Sequence, residues 1–236
     1  MARSARPLDT TLAPQMSTRY AGIAGRSLER LAALSDGIFA VAMTLLVLDL
    51  RVPVVEASRG QRPLWAAGAS SAERALWEAL VRLSPRLLTY GLSFLTLGIF
   101  WLGQQTQLHY SARSDRGLAW RHLAFLFAVA LMPFSTSMLA EFITYRLALV
   151  AYWLNLVVLG LTLLVAWRYA ARTGLLTEEA TPDVRAAVER RIVVYQALYA
   201  GCVLVGGVNT YASIALLVVL QLNSAAAPRL KWFDRF

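Results

Sequence analysis

The sequence predicts an all-α integral membrane protein with six transmembrane helices in one chain. Hydrophobic residues make up 58% of its 236 residues and charged residues only 16%, whereas soluble domains have roughly 45–50% apolar and about 25% charged residues. Uncharged runs recur along the chain and are bounded by arginines. Because about 20 helical residues cross the hydrocarbon core of a bilayer, these runs predict helices that span the membrane.

The predicted spans are 31–50, 87–107, 122–140, 147–167, 190–206 and 209–225. Pro85 suits the start of the second helix, and residues 70–83 before it form a candidate short interfacial helix. The last charge-free run, 192–228, is too long for one span and fits two short ones. Gly206, Gly207 and Asn209 predict the turn between them, because both residue types tolerate the backbone angles of a tight reversal.

The six spans define a transmembrane domain over 28–227, flanked by two basic tails. Residues 1–27 carry two prolines and four arginines without an apolar core, and we expect a largely disordered tail there. Residues 228–236 form a short basic tail. An even number of spans places both tails on one side, and the excess of arginine and lysine predicts that this side is the cytosol.

One ionisable residue lies well inside the first span. Asp36 follows Arg30 by one and a half helical turns and comes directly after Ser35. An unpaired carboxylate in lipid costs several kcal/mol, so Asp36 is either functional or paired. The structural alternative is a packing lock, in which Ser35 and Asp36 bond to Arg30 or to neighbouring helices.

A stripe of apolar residues follows Asp36 on the same helix. Val41, Leu45 and Leu48 recur at helical spacing and share one face, with Thr44 beside them. In a single-chain bundle the stripe would pack against other helices. In a symmetric oligomer it would form hydrophobic rings that gate by excluding water, and Asp49 would lie near the outer mouth, where carboxylates concentrate cations.

The remaining residues do not suggest an enzyme. The two histidines, His109 and His122, lie near the ends of different spans, and Cys202 is the only cysteine. We therefore expect no catalytic residues, no cofactor and no bound metal. The formal charge of +9 has no accompanying aromatic patch, so we attribute it to topology and anionic lipid, not to nucleic-acid binding.

Three segments in order resemble the transmembrane protein 175 family. The run from Arg30 through Ser35 and Asp36 to Leu50 is similar to the signature of its first helix. Residues 98–101, Gly-Ile-Phe-Trp, resemble the end of its second helix. Residues 131–136, Leu-Met-Pro-Phe-Ser-Thr, resemble a segment of its third helix.

The resemblance implies a potassium-permeable channel without a Thr-Val-Gly-Tyr-Gly filter. It implies a homotetramer in the plasma membrane, with the first helix lining the pore, potassium as the permeant ion and no small-molecule substrate. The residues that match the family's functional positions are Val41, Leu45 and Leu48 for the hydrophobic constriction, Thr44 for selectivity, and Arg30, Ser35 and Asp36 for the contacts that hold the helices together.

The chain also departs from the family pattern. Leu34 replaces a phenylalanine of the packing lock, and Val41 replaces a larger residue in the pore. Gln104 and Gln105 replace paired histidines, so we expect no pH response through those positions. The alternative function is a secondary transporter or exporter, which would show paired interrupted helices and a polar site at the membrane midplane.

Overall fold

The computed structural model of the chain describes residues 27–48, 50, 65 and 69–226. These residues form six helices, which confirms the predicted all-helical fold. The helices are α1 (Leu28–Leu48), α2 (Ala69–His109), α3 (Arg116–Glu141), α4 (Arg146–Arg172), α5 (Pro182–Val205) and α6 (Thr210–Ala226).

Four of these helices are long and apolar enough to cross a membrane. They are α1, the part of α2 from Glu73 to His109, α3 and α4. Helix α6 is apolar but shorter. Helix α5 begins at Pro182, before the predicted span, and its first half carries charged residues, so its apolar part is confined to its second half.

The prediction of a helix start at Pro85 and of a separate short helix before it is wrong. Helix α2 runs without a break from Ala69 to His109, and Pro85 lies in its interior. Its 41 residues extend about 62 Å at 1.5 Å per residue, twice the hydrocarbon thickness. Val81, Leu87 and Leu88 near Pro85 are exposed. Proline lacks the amide proton that would bond to the Val81 carbonyl, so α2 continues through Pro85 with one backbone hydrogen bond fewer.

Helix α3 lies at the centre of the bundle. It contacts α1, α2 and α4, with the most extensive contact to α4. Phe125 of α3 packs against Phe39 of α1 and Phe100 of α2, with ring centroids 6.0 and 6.3 Å apart. These three rings fix α1 to the rest of the subunit by burial of apolar surface.

The connections between helices from α2 to α6 are short and well bonded. Asp115 caps α3 by accepting from the Leu118 amide at 2.7 Å, as an N-cap residue does. The Ala112 amide donates to the Leu175 carbonyl at 2.8 Å, which joins the α2–α3 and α4–α5 loops. The predicted turn at 206–209 lies between α5 and α6, where Asn209 Oδ1 accepts from the Tyr211 amide at 2.9 Å.

Candidate functional site

Helix α1 has one buried face and one exposed face. The buried residues recur every three or four positions and pack on α2 and α3: Leu31, Ser35, Phe39, Ala42 and Leu46. Residues half a turn away face outward from the subunit. The outward face carries large apolar side chains that the described part of the subunit does not cover. This face therefore needs lipid or a partner to cover it.

The predicted pore residues all lie on the outward face. Val41 is 57% exposed, Leu45 46% and Leu48 72%. Thr44 is exposed beside them, and its hydroxyl donates to the Val41 carbonyl at 2.8 Å. We call these four residues the α1 stripe. Because Thr44 uses its proton within the helix, its hydroxyl oxygen presents lone pairs outward.

Leu34 lies at the start of the same face. It is 45% exposed and lines a groove of about 460 Å³ together with Gly37, Val41 and Leu45. Within the subunit, Leu34 therefore belongs to the exposed face of α1 and not to its packed face, and its place in the packing lock stays a prediction. One residue advances a helix by about 100°, so the neighbour of buried Ser35 points away from α2.

Asp36 is held by two donors from α2. Trp101 Nε1 and Gln105 Nε2 each donate to Asp36 Oδ1 at 2.8 Å. The two donors are four residues apart and therefore lie on the same side of α2. The exposed carboxylate of Asp36 thus has partners within its own subunit, the arrangement that the structural alternative describes.

Ser35 begins a second chain of hydrogen bonds that joins three helices. Its hydroxyl donates to Gln104 Oε1, and Gln104 Nε2 bonds to His122 Nδ1 at 3.2 Å. All three side chains are buried, with at most 1% exposed. An amide nitrogen only donates, so His122 Nδ1 accepts and the ring proton resides on Nε2. This chain links α1 through α2 to α3.

Two predicted site residues lie outside these networks. Within the part of the chain that the structure describes, Arg30 has no side-chain hydrogen bond or ion pair, and its amide donates to Ser27 Oγ at 3.2 Å. Asp49 lies outside the described residues. The geometry therefore joins Ser35 and Asp36 to α2 without bringing Arg30 to them.

The sequence analysis missed the partners of Ser35 and Asp36. Trp101, Gln104 and Gln105 were recognised only as matches to or departures from a family pattern, and His122 only as a histidine near the end of a span. The available signal was the spacing of the polar residues. Positions 101, 104 and 105 recur at three- and four-residue intervals within an apolar span, which indicates a polar seam facing another helix.

No metal site accompanies these residues. Among residues 27–48, 50, 65 and 69–226, no three histidine, cysteine, aspartate or glutamate side chains lie close enough to hold a metal ion. The candidate site therefore consists of apolar side chains, the hydroxyls of Ser35 and Thr44, the Asp36 carboxylate and neutral hydrogen-bond donors from α2.

Comparison with known proteins finds a family match over slightly less than half of the chain. Residues 30–133 match the family described as endosomal/lysosomal potassium channel TMEM175. A potassium channel of Streptomyces collinus is 36% identical over 149 residues, which cover 61% of this chain and 65% of that protein. The alignment therefore spans slightly less than two thirds of this relative.

A second relative and one solved structure cover more of the chain. A potassium channel of Chamaesiphon minutus is 28% identical over 206 residues, which cover 83% of this chain and 92% of that protein. The fold is similar to the crystal structure of a lysosomal potassium-selective channel TMEM175 homolog from Chamaesiphon minutus. The TM-score is 0.69 at 23% identity, over 84% of this chain and 96% of that one.

Proposed function

Because residues 30–133 match the TMEM175 family and the similar proteins are potassium channels, we propose that the chain belongs to this family and is a potassium-permeable channel whose pore is lined by α1. The chain is a multi-pass membrane protein. The family is one of ion channels and not of enzymes. Potassium is the permeant ion of this proposal, and it needs no cofactor.

The observation that carries the proposal is the contrast between the two faces of α1. One face is fastened to the subunit by Phe39 and by the bonds of Ser35 and Asp36 to α2. The α1 stripe on the opposite face is left exposed by the subunit. A helix that is fixed on one face can present the side chains of its opposite face to a symmetry axis. Copies of these side chains from each subunit would then form rings.

Around such an axis, Val41, Leu45 and Leu48 would form stacked apolar rings. A narrow apolar ring excludes water and blocks ions until it widens, so these residues form the proposed constriction. Thr44 would contribute the only ring of oxygen atoms within the stripe and is the proposed selectivity residue. Asp49 remains the proposed outer-mouth charge, on sequence position alone.

The proposal includes a homotetramer in the plasma membrane with both termini in the cytosol. Four copies of α1 around one axis would surround a pore with residues from each subunit. The even number of helices and the basic flanks of the spans support the orientation. Arg30, Ser35 and Asp36 are the proposed structural residues near the cytosolic end of α1.

The test is the reversal potential of the purified protein in planar bilayers. Under a tenfold potassium gradient a selective channel reverses near the potassium equilibrium potential, about 59 mV from zero. Replacing potassium with sodium on one side then gives the permeability ratio. Bilayers with the double variant Leu45→Trp and Leu48→Trp, which would fill the rings, serve as the blocked control.

Two results would contradict the proposal. One is a full current from the blocked variant, which would place the pore elsewhere. The other is the absence of current together with saturable solute uptake coupled to an ion gradient. That outcome would favour the alternative of a secondary transporter, in which α1 packs against lipid or another helix.

A further inference from the structure

A groove far from the α1 stripe lies between the end of α4 and the first turns of α5. It encloses about 400 Å³ and is lined by Trp167, Arg168, Ala171, Arg172, Arg185 and Glu189. Three of these six residues are arginines and one is a glutamate. The groove is therefore a site of concentrated positive charge on one flank of the subunit.

The arginines of the groove are not equally engaged. Arg168 Nε donates to Glu189 Oε1 at 2.9 Å, so this pair neutralises itself. Among the described residues, Arg185 makes one side-chain hydrogen bond, in which its Nε donates to the Ala180 carbonyl at 2.7 Å. Arg172 has no hydrogen bond or ion pair with any described residue. Two positive charges and most of their N–H donors thus remain for a ligand.

The groove lies at the end of a membrane span. Helix α4 is long and apolar enough to cross a bilayer, and Arg172 is its last residue. Trp167 is buried at 1% exposure, and its Nε1 donates to the Arg185 carbonyl at 3.2 Å. This bond fixes α5 against α4 and holds the walls of the groove together.

An exposed apolar stripe leads along α4 directly to the groove. Its members are separated by three or four residues and continue into two arginines on the same face: Leu154, Val158, Leu161, Val165, Arg168 and Arg172. The four apolar residues span roughly 16 Å along the helix. One leaflet contributes about 15 Å of hydrocarbon, so the stripe matches the length of an acyl chain.

We propose that this groove binds an anionic phospholipid, with the phosphate on Arg172 and Arg185 and an acyl chain along the exposed stripe of α4. Guanidinium forks fit phosphate oxygens with two parallel hydrogen bonds. Basic pockets between helices at the membrane surface bind acidic headgroups in the same way. The proposal requires α4 to cross the membrane and does not depend on ion conduction.

The first test compares two lipids of equal chain length. Native mass spectrometry of the full chain, titrated with phosphatidylglycerol or phosphatidylcholine, gives the affinity for each. We expect tighter binding of phosphatidylglycerol. Arg172→Gln should weaken it about fivefold, and Arg172→Gln with Arg185→Gln about 25-fold, as basic residues near a membrane surface contribute. Binding of phosphatidylcholine should not change.

Arg146→Gln is the matched control, because Arg146 is an exposed arginine at the opposite end of α4. It should leave the affinity for phosphatidylglycerol unchanged. Equal affinity for the two lipids, or an unchanged affinity after Arg172→Gln, would overturn the proposal. Arg172 lacks a partner among the described residues, so its single variant remains informative if Arg185→Gln fails to fold.

A second test separates a lipid from free phosphate and from a neighbouring subunit. Leu161→Ala with Val165→Ala should weaken binding of phosphatidylglycerol, and inorganic phosphate at equal concentration should not displace the lipid. Displacement by inorganic phosphate without an effect of the apolar variants would mean a site for soluble phosphate. A changed oligomer mass with unchanged lipid binding would mean that the stripe is a subunit contact. Either result would contradict the lipid site.

Discussion

Trp101 and Asp36 are joined across the α1–α2 contact by a hydrogen bond of 2.8 Å from the indole nitrogen to the carboxylate. Gln105 donates to the same oxygen. The carboxylate is thereby held by two neutral donors of its own subunit. This arrangement fixes the rotation of α1 and so determines which of its residues face outward.

Replacement of Asp36 should affect assembly more than permeation. Asp36→Ala leaves the Trp101 and Gln105 donors without their acceptor, and we expect a loss of about 1–3 kcal/mol of stability. Asp36→Asn keeps an acceptor oxygen and should lose less. Thermal unfolding and oligomer mass in detergent measure both effects. A variant with normal stability and mass but no conductance would mean that the carboxylate acts on the ions.

Gln104 should matter more for stability than its neighbour Gln105. Gln104→Ala removes the middle of the buried chain from Ser35 to His122, leaving two buried polar groups unpaired at about 2–4 kcal/mol in total. Gln105→Ala is the matched control, because Gln105 is partly exposed and shares Asp36 with Trp101. It should cost about 1 kcal/mol. Equal melting temperatures for the two variants would contradict the assigned chain.

Gly160 should not tolerate a side chain. A Cβ atom there would lie 2.8 Å or less from three atoms of the Gln196 side chain, whose Nε2 donates to the Leu156 carbonyl at 3.0 Å. Gly160→Ala should therefore displace Gln196 and cost about 1–3 kcal/mol.

Gly201→Ala is the matched control for Gly160. Like Gly160, Gly201 lies within a helix, but Gly201 is exposed. A Cβ atom added at Gly201 would meet nothing within 4 Å. Its replacement should be neutral or stabilise by up to about 1 kcal/mol, through helix propensity. Thermal unfolding of both variants measures the difference, and a Gly160→Ala protein as stable as the Gly201→Ala protein would mean that the Gln196 side chain moves aside at little cost.

The sequence predicts the helices better than their ends. Hydropathy identifies the six helices because each apolar run must be buried in lipid or protein. It does not reveal that α2 continues through Pro85, since a long helix can lose one backbone hydrogen bond without ending. Trp167 lies near the end of an apolar run, and its ring packs inside against α5. Hydropathy does not distinguish the lipid-facing side of a helix from its packed side.

The sequence predicts only part of the candidate site, for a related reason. Helical spacing correctly puts Val41, Leu45 and Leu48 on one face. The partners of Ser35 and Asp36 depend on which side of α2 meets α1, and this is a property of the packed bundle. Leu34 shows the same limit, because a motif position does not state the direction of its side chain.

Leu45→Ala should raise the single-channel current. A smaller side chain widens the proposed ring, and a barrier lower by about 1 kcal/mol raises the current about fivefold. Val47→Ala is the matched control, because Val47 is 45% exposed on α1 but lies about 120° around the helix from Val41 and about 160° from Leu45. Planar-bilayer recordings compare the two. A rise in Val47→Ala alone would move the pore to another face of α1.

Thr44→Val should lower the preference for potassium over sodium. Valine has nearly the same shape but lacks the hydroxyl oxygen that would contact a dehydrated ion. With potassium on one side and sodium on the other, the reversal potential should move toward zero, by about 59 mV for each tenfold loss of the permeability ratio. Thr44→Ser keeps the hydroxyl and should retain the ratio. If valine and serine give the same reversal potential as threonine, selectivity does not arise from this ring, and the constriction formed by Val41, Leu45 and Leu48 would have to discriminate the ions by size alone.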